Sequence, residues 1–275
     1  MDRNLYFDAH FHLFGDTAFG NALAKNIGEQ ASREYFMNKY HINGNMIGGI
    51  VMGNGLLEKQ GIGLPDRFFY CVGLDQSAYF PLKDETYIQL EQHLKNEKCV
   101  GIKLYPGYIP LYPNDKQYYK AFELLLKYHK VLAVHTGMLA GLKGKLKYTK
   151  PIYLDDIAVD FPDLKIVMCH FGNPFLEEAA AVMEHNDNVY ADLSGLIEGQ
   201  FKADNFIENE TDYMYLLKAW INYVGDHKRF MFGTDWPAVN CDEYSKFISQ
   251  LFDSEYTEDI LINNAIDIYG VRERL

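Results

Sequence analysis

Asp8-Ala9-His10-Phe11-His12 sits inside an apolar run, Leu5–Leu13, that reads as a buried β-strand. A strand sends alternate side chains to one face. Asp8, His10 and His12 therefore share a face, and Phe7, Ala9 and Phe11 share the other. Two imidazoles at this spacing lie about 7 Å apart along the backbone, close enough to grip one metal ion. Histidines on the inner face of a core strand also occur as hydrogen-bonded structural pairs. The stretch alone leaves both readings open, and the rest of the chain decides between them.

The chain has 275 residues, 48% of them hydrophobic, which suffices for one α/β barrel or two smaller domains. No run of about 18 apolar residues marks a membrane span, so no membrane partner is expected. The N-terminus lacks the basic-then-apolar order of a secretory signal, which makes the cytoplasm the expected location. A net charge of −12 argues against nucleic acid, because phosphate binding needs clustered Lys and Arg. Cys71, Cys99, Cys169 and Cys241 are widely spaced, with no C-x-x-C pair. Three of them, Cys71, Cys99 and Cys169, sit in apolar runs, as buried thiols of a reducing compartment do.

Eight near-continuous apolar runs predict parallel strands covered on both faces: Leu5–Leu13, Ile47–Gly53, Arg67–Leu74, Cys99–Tyr105, Val131–His135, Lys165–His170, Val189–Leu193 and Arg229–Thr234. Helical patterns lie between them. Gln117–His129 places Tyr118, Phe122, Leu125 and Leu126 on one stripe. Phe175–His185 follows Asn173-Pro174 and carries Glu177 and Glu178 in its first turn. Tyr213–Val224 stops at Gly225, and Thr257–Tyr269 is closed by Gly270. Strands alternating with helices point to an α/β (β/α)8 TIM barrel. The alternative, an open doubly wound sheet, lacks a Gly-x-Gly-x-x-Gly turn after the first strand. No linker or repeat interrupts the pattern, so one domain over residues 1–275 is expected.

Polar residues collect at the C-terminal ends of these strands, where barrel enzymes keep their chemistry. Strand four ends in Gly101-Ile102-Lys103-Leu104-Tyr105-Pro106, and strand five in Val134-His135-Thr136-Gly137. Strand six ends in Cys169-His170-Phe171-Gly172, and strand eight in Gly233-Thr234-Asp235-Trp236-Pro237. Each residue alone has a plain structural reading: a hydrogen-bonded histidine, a turn-capping Asp235, a Lys103 carried outward on its stem. In a barrel, however, His10, His12, Lys103, His135, His170 and Asp235 converge on one mouth, and histidines gathered with a carboxylate form a metal site more naturally than a core.

These motifs, in order from residue 8 to residue 237, resemble those of the amidohydrolase superfamily. They are most similar to the amidohydrolase-2 branch, which also contains the aminocarboxymuconate-semialdehyde decarboxylases. The matching elements are D-x-H-x-H (Asp8, His10, His12), G-I-K-L-Y-P (Lys103), V-H-T-G (His135), C-H-F-G-N-P (His170) and G-T-D-W-P (Asp235). The resemblance implies a mononuclear site in which His10, His12, His135 and Asp235 hold the metal and His170 and Asp235 are catalytic. It implies zinc, with manganese or iron as alternatives, and one ion rather than two. Other branches bridge two metals with a carboxylated lysine on strand four, the place of Lys103. That lysine has two further readings, a paired residue near the metal or a cation for a substrate carboxylate. Asp8, deeper on the same face, is expected to support the ligands rather than bind.

The function implied is metal-dependent hydrolysis of a small amide, lactone or ester carbonyl by activated water, with Asp235 taking a proton and His170 steadying the developing charge. The same parts serve non-oxidative decarboxylation of an unsaturated or aromatic acid. A non-catalytic barrel that binds a metal or ligand is the third reading, and a retained acid–base pair argues against it. The partner is a small molecule. Lys143, Lys145, Lys147 and Lys150 after strand five suit an anionic one, or simply form a solvated loop. The tyrosines of Tyr105–Tyr112 fit a pocket wall or a packing contact, and Gly195–Asn209 fits a lid or a connection. The related decarboxylases tend to be dimers, so the resemblance allows a homodimer.

Overall fold

A computed structural model describes residues 5–15, 17–141 and 144–275. Lys143 of the lysine-bearing loop lies outside the described residues. Eight parallel strands form one sheet in sequence order: β1 (Tyr6–Phe11), β2 (Met46–Met52), β3 (Phe68–Leu74), β4 (Cys99–Leu104), β5 (Val131–Val134), β6 (Ile166–Met168), β7 (Val189–Asp192) and β8 (Phe230–Met231). Each lies inside, or within one residue of, a predicted run. The uninterrupted order excludes a doubly wound sheet, in which strand order reverses at a switch point. Among the described residues no helix is long and apolar enough to cross a membrane.

The chain divides into two compact units. One comprises Met1–Val51, Asp66–Phe68 and Asp192–Leu275, and the other Met52–Pro65 and Phe69–Ala191. In the first, β1 runs beside β2 with Asp8 opposite Gly49 and Phe11 opposite Val51. The aromatic side chains of β1 are fully buried. Phe11 stacks on Phe36 at 4.7 Å, Phe36 meets Trp236 at 4.5 Å, and Tyr6 meets Phe232 at 5.1 Å. β8 is shorter than the predicted Arg229–Thr234 because its ladder is diverted. The Phe232 amide donates to Ile260 O (2.9 Å), and the Thr234 and Asp235 amides both donate to His10 O (3.1 and 2.7 Å). The helix Thr211–Val224 ends where Gly225 turns left-handed, as predicted. The final predicted helix appears as two abutting segments, Asp259–Asn263 and Asn264–Ile268.

In the second unit β3 to β7 form a continuous parallel ladder. Lys103 lies opposite Gly73 and Ala133, and Ala133 lies opposite Val167. The helix Tyr119–Lys127 buries Phe122 and Leu125 of the predicted stripe together with Ala121, leaving Leu126 half-buried, and Leu176–His185 keeps Glu177 and Glu178 in its first turn. β6 stops before the predicted His170 because His170 (φ 65°) and Phe171 (φ 42°) leave the extended region. The β4–β5 pairing depends on a bare backbone at Gly101, where an added Cβ would stand 2.2 Å from Val131 O. Gly101→Ala is expected to cost about 1–3 kcal/mol, the usual range for forcing extra volume into a packed core. A lowered urea midpoint at unchanged m-value checks it.

Candidate metal centre

The first unit gathers His10, His12 and Asp235. The Nε2 atoms of His10 and His12 lie 3.4 and 3.0 Å from Asp235 Oδ1. Their rings are 5.3 Å apart, the same-face arrangement the alternation of β1 predicts. His10 is fully buried and His12 nearly so, whereas the Asp235 side chain is 22% exposed and opens the group to solvent. Asp235 occupies a left-handed backbone position (φ 59°), unusual for a residue with a side chain and typical of strained functional turns.

That turn is held from inside. Asp8, fully buried, accepts from the His10 amide (3.0 Å), the Thr234 amide (3.0 Å) and Thr234 Oγ1 (2.6 Å). Burial pushes its carboxyl up to about 7, against the lowering effect of these bonds. The Trp236 amide donates to Thr234 Oγ1 (3.0 Å), and the His12 amide donates to Trp236 O (2.8 Å). Trp236 Nε1 and Asn240 Nδ2 donate to the carboxylate of Glu29, each at 3.0 Å. Asp8 thus ties together the stretches that carry His10 and Asp235, and Glu29 fixes the ring that follows Asp235.

The donor chemistry fits a divalent ion. Asp192 Oδ2 lies 2.8 Å from His10 Nδ1, and both side chains are fully buried. An ionised carboxylate only accepts, so the His10 proton sits on Nδ1 and the Nε2 lone pair faces Asp235 Oδ1. Two acceptors aimed at one another are reconciled by a second proton or by a cation. Metal–ligand bonds of about 2.0–2.2 Å set donor–donor edges of about 3.3 Å in a tetrahedral site, close to the separations found here. A carboxylate behind a ligating imidazole is also the usual means of fixing its tautomer and raising its basicity.

The second unit pairs His135 with His170. His135 Nδ1 lies 3.0 Å from His170 Nε2, and both residues are buried. A proton on His135 Nδ1 leaves its Nε2 lone pair in the form a metal ligand needs, with His170 as the acceptor that orients it. Lys103 is fully buried, its Nζ 2.6 Å from Cys169 Sγ.

The loops resolve several expectations. Tyr108 packs its ring edge-on 5.1 Å from His135, while Tyr112 meets the rings of Tyr148 and Tyr153 at 4.6 and 4.5 Å, so the tyrosines of this loop make packing contacts. Lys150 pairs with Glu178 at 2.6 Å, and Lys147 lies over the Tyr148 ring. Gly195–Asn209 is fastened by Leu196 N to Tyr244 Oη (3.0 Å), Gly199 N to Ala238 O (2.8 Å) and Ala203 N to a Glu243 oxygen (3.0 Å), as a packed connection is. Glu198, exposed on it, has its carboxyl pushed up by local desolvation and by the charge of Asp235. Asp192 and Glu29 escape a reading of the sequence. Asp192 alone carries a signal there, a charge at the end of the apolar run Val189–Leu193.

A family model described as amidohydrolase, that of the amidohydrolase-2 family, matches residues 59–271. No curated protein matches in sequence. Solved structures do match in fold. An uncharacterized TIM-barrel protein from Bordetella bronchiseptica is 18% identical with a TM-score of 0.70, over 96% of this chain and 99% of that one. A 2,6-dihydroxybenzoate decarboxylase from Rhizobium is 16% identical with a TM-score of 0.66, over 98% and 99%. A probable 2-pyrone-4,6-dicarboxylic acid hydrolase from Acinetobacter baumannii, with citric acid bound, is 15% identical with a TM-score of 0.64, over 96% and 99%. The fold is therefore the (β/α)8 barrel of these proteins.

The Asp192–His10 contact yields a direct expectation. Asp192→Asn weakens zinc binding on the order of 10–100-fold, the usual effect of losing a carboxylate behind a ligating histidine. Competition against a chromophoric chelator measures this, with far-ultraviolet circular dichroism confirming an unchanged fold.

Proposed function

The chain belongs to the amidohydrolase-2 family, a family of metal-dependent enzymes, and on that footing we propose that it is a metal-dependent hydrolase of a small carbonyl substrate, an amide, lactone or ester. The observation that carries the reading is the donor triangle of His10, His12 and Asp235 with Asp192 behind His10. The proposed ligand set is that of the sequence pattern, His10, His12, His135 and Asp235, acting within a single domain. Two or three imidazoles with one carboxylate favour zinc, with manganese and iron as the alternatives that elemental analysis distinguishes. Bound there, such an ion would supply Lewis acidity, lowering the pKa of a water towards neutrality and polarising a carbonyl.

The chain's own groups account for the remaining steps. Asp235 is the solvent-facing member of its cluster, so its carboxylate is the group placed to orient a water and take its proton. His170 lies within hydrogen-bond distance of His135, at 3.0 Å, and holds that ring. It is also a base or acid whose proton can move as charge develops on the substrate. The ring of Tyr108 packs 5.1 Å from that of His135, beside His170. An acidic substrate is proposed because two of the similar structures bear acids in their descriptions, a dicarboxylic acid hydrolase with citric acid and a dihydroxybenzoate decarboxylase. A cytoplasmic setting is proposed because none of the four cysteines forms a disulfide and all are buried.

Decarboxylation is the second reading, supported by the likeness to the dihydroxybenzoate decarboxylase. One experiment separates the two. Zinc-loaded protein is offered lactones, amides and esters of small acids in one panel and unsaturated or aromatic acids in another. Hydrolytic turnover without carbon dioxide release is the expected result, and carbon dioxide release alone would replace the lead with the second reading. His170→Ala is expected to retain its metal and lose a factor of about 10²–10⁴ in turnover, the range for a positioned acid–base group.

A further inference from the structure

Lys103 and Cys169 form a contact that the proposed hydrolysis does not use. Lys103 Nζ lies 2.6 Å from Cys169 Sγ, and both side chains are fully buried. Among the described residues the thiol is the one hydrogen-bond partner of this amine. The ring of Tyr105, 5.5 Å from Nζ, adds a cation–π contact and no acceptor. The separation falls below even the about 2.7–3.2 Å of an N–H···O hydrogen bond, although sulfur is the larger atom. It is also well beyond the length of a direct S–N bond. A single oxygen atom bonded to both nitrogen and sulfur spans it at ordinary bond lengths and an ordinary bond angle.

We propose that Lys103 and Cys169 are a redox modification site, at which hydrogen peroxide links Nζ to Sγ through one oxygen atom. The step balances in two stages. The sulfur first attacks the peroxide O–O bond, gaining one oxygen as a sulfenic acid and releasing one water. The N–O bond then forms as one N–H proton and the sulfenic proton leave, and the two electrons pass to a second peroxide, which departs as two waters. A thiol, an amine and two peroxides thus become one N–O–S bridge and three waters. Two equivalents of a dithiol, each closing to its disulfide, return the four electrons and four protons and regenerate thiol, amine and one water.

The fold supplies what such a reaction needs. Lys103 is held in β4 by its register with Gly73 and Ala133, and Cys169 directly follows β6, so neither group must be brought to the other. Full burial restricts the chemistry to an oxidant about the size of water and keeps the sulfenic acid from larger thiols. The bridge would also remove the positive charge of Lys103, the residue that the sequence places at the strand-four end of the site. The inference rests on the geometry of this pair and not on the reaction class proposed above.

The test is made on the intact folded protein. After treatment with hydrogen peroxide it is digested with trypsin without reductant and analysed by tandem mass spectrometry. The expected product joins the peptide containing Lys103 to the peptide containing Cys169, heavier than the two by one oxygen and lighter by two hydrogens. Cleavage after Lys103 is suppressed. Dithiothreitol restores both the cleavage and the separate peptides, and Cys169→Ser abolishes the product. Recovery of Cys169 as thiol, sulfinate or sulfonate, with Lys103 cleaved normally, would overturn the proposal, as would a link lacking the oxygen. The wild-type digest alone decides this, so a variant that fails to fold leaves the test intact.

Discussion

A buried carboxylate in the first strand connects the two stretches that carry the donor atoms of the first unit. Asp8 accepts from the His10 amide and from both the amide and hydroxyl of Thr234, the residue before Asp235. Each bond alone contributes modestly, but removing the acceptor would strand several buried donors, at about 1–3 kcal/mol apiece. This one side chain therefore joins His10 to the turn at Asp235, beside the backbone bonds from Thr234 and Asp235 to His10 O. The left-handed turn at Asp235 is tolerable because Asp8, Thr234 and the Trp236 ring determine it from several sides.

Around that tie the charges are layered. Asp192 lies fully buried behind the imidazole of His10, Asp8 lies fully buried against the His10 backbone amide, and Asp235 stands in front with access to solvent. Asp192 sets which nitrogen carries the proton, and Asp235 faces the other nitrogen. Gly233 makes the close approach possible, since a Cβ there would stand 2.9 Å from His10 Cβ. The layering gathers carboxylates around two imidazoles, an arrangement that a divalent cation offsets.

Much of this was legible in the residues themselves. Apolar runs located all eight strands, because a parallel strand covered on both faces must be apolar throughout. Alternation placed His10 and His12 on one side, and the family pattern added His135, His170 and Asp235. What stayed hidden depended on tertiary geometry. The truncation of β6 follows from left-handed residues that no propensity marks. Asp192 looks like an ordinary strand terminus until its partner, 182 positions away, is seen. The Lys103–Cys169 contact joins residues 66 apart and appears only through the register of β4, β5 and β6. The lysines after β5 read as a steering patch or a solvated loop; Lys150 is paired with Glu178, 28 positions on, and Lys147 lies over the ring of the next residue, Tyr148.

The central claim is that His10, His12 and Asp235 hold a metal through nitrogen and oxygen alone. X-ray absorption spectroscopy of the zinc-loaded protein tests it most directly. The account predicts a first shell of nitrogen and oxygen at about 2.0–2.2 Å with the outer-shell scattering of at least two imidazoles. A sulfur shell at about 2.3 Å, or a first shell without imidazole, would contradict it.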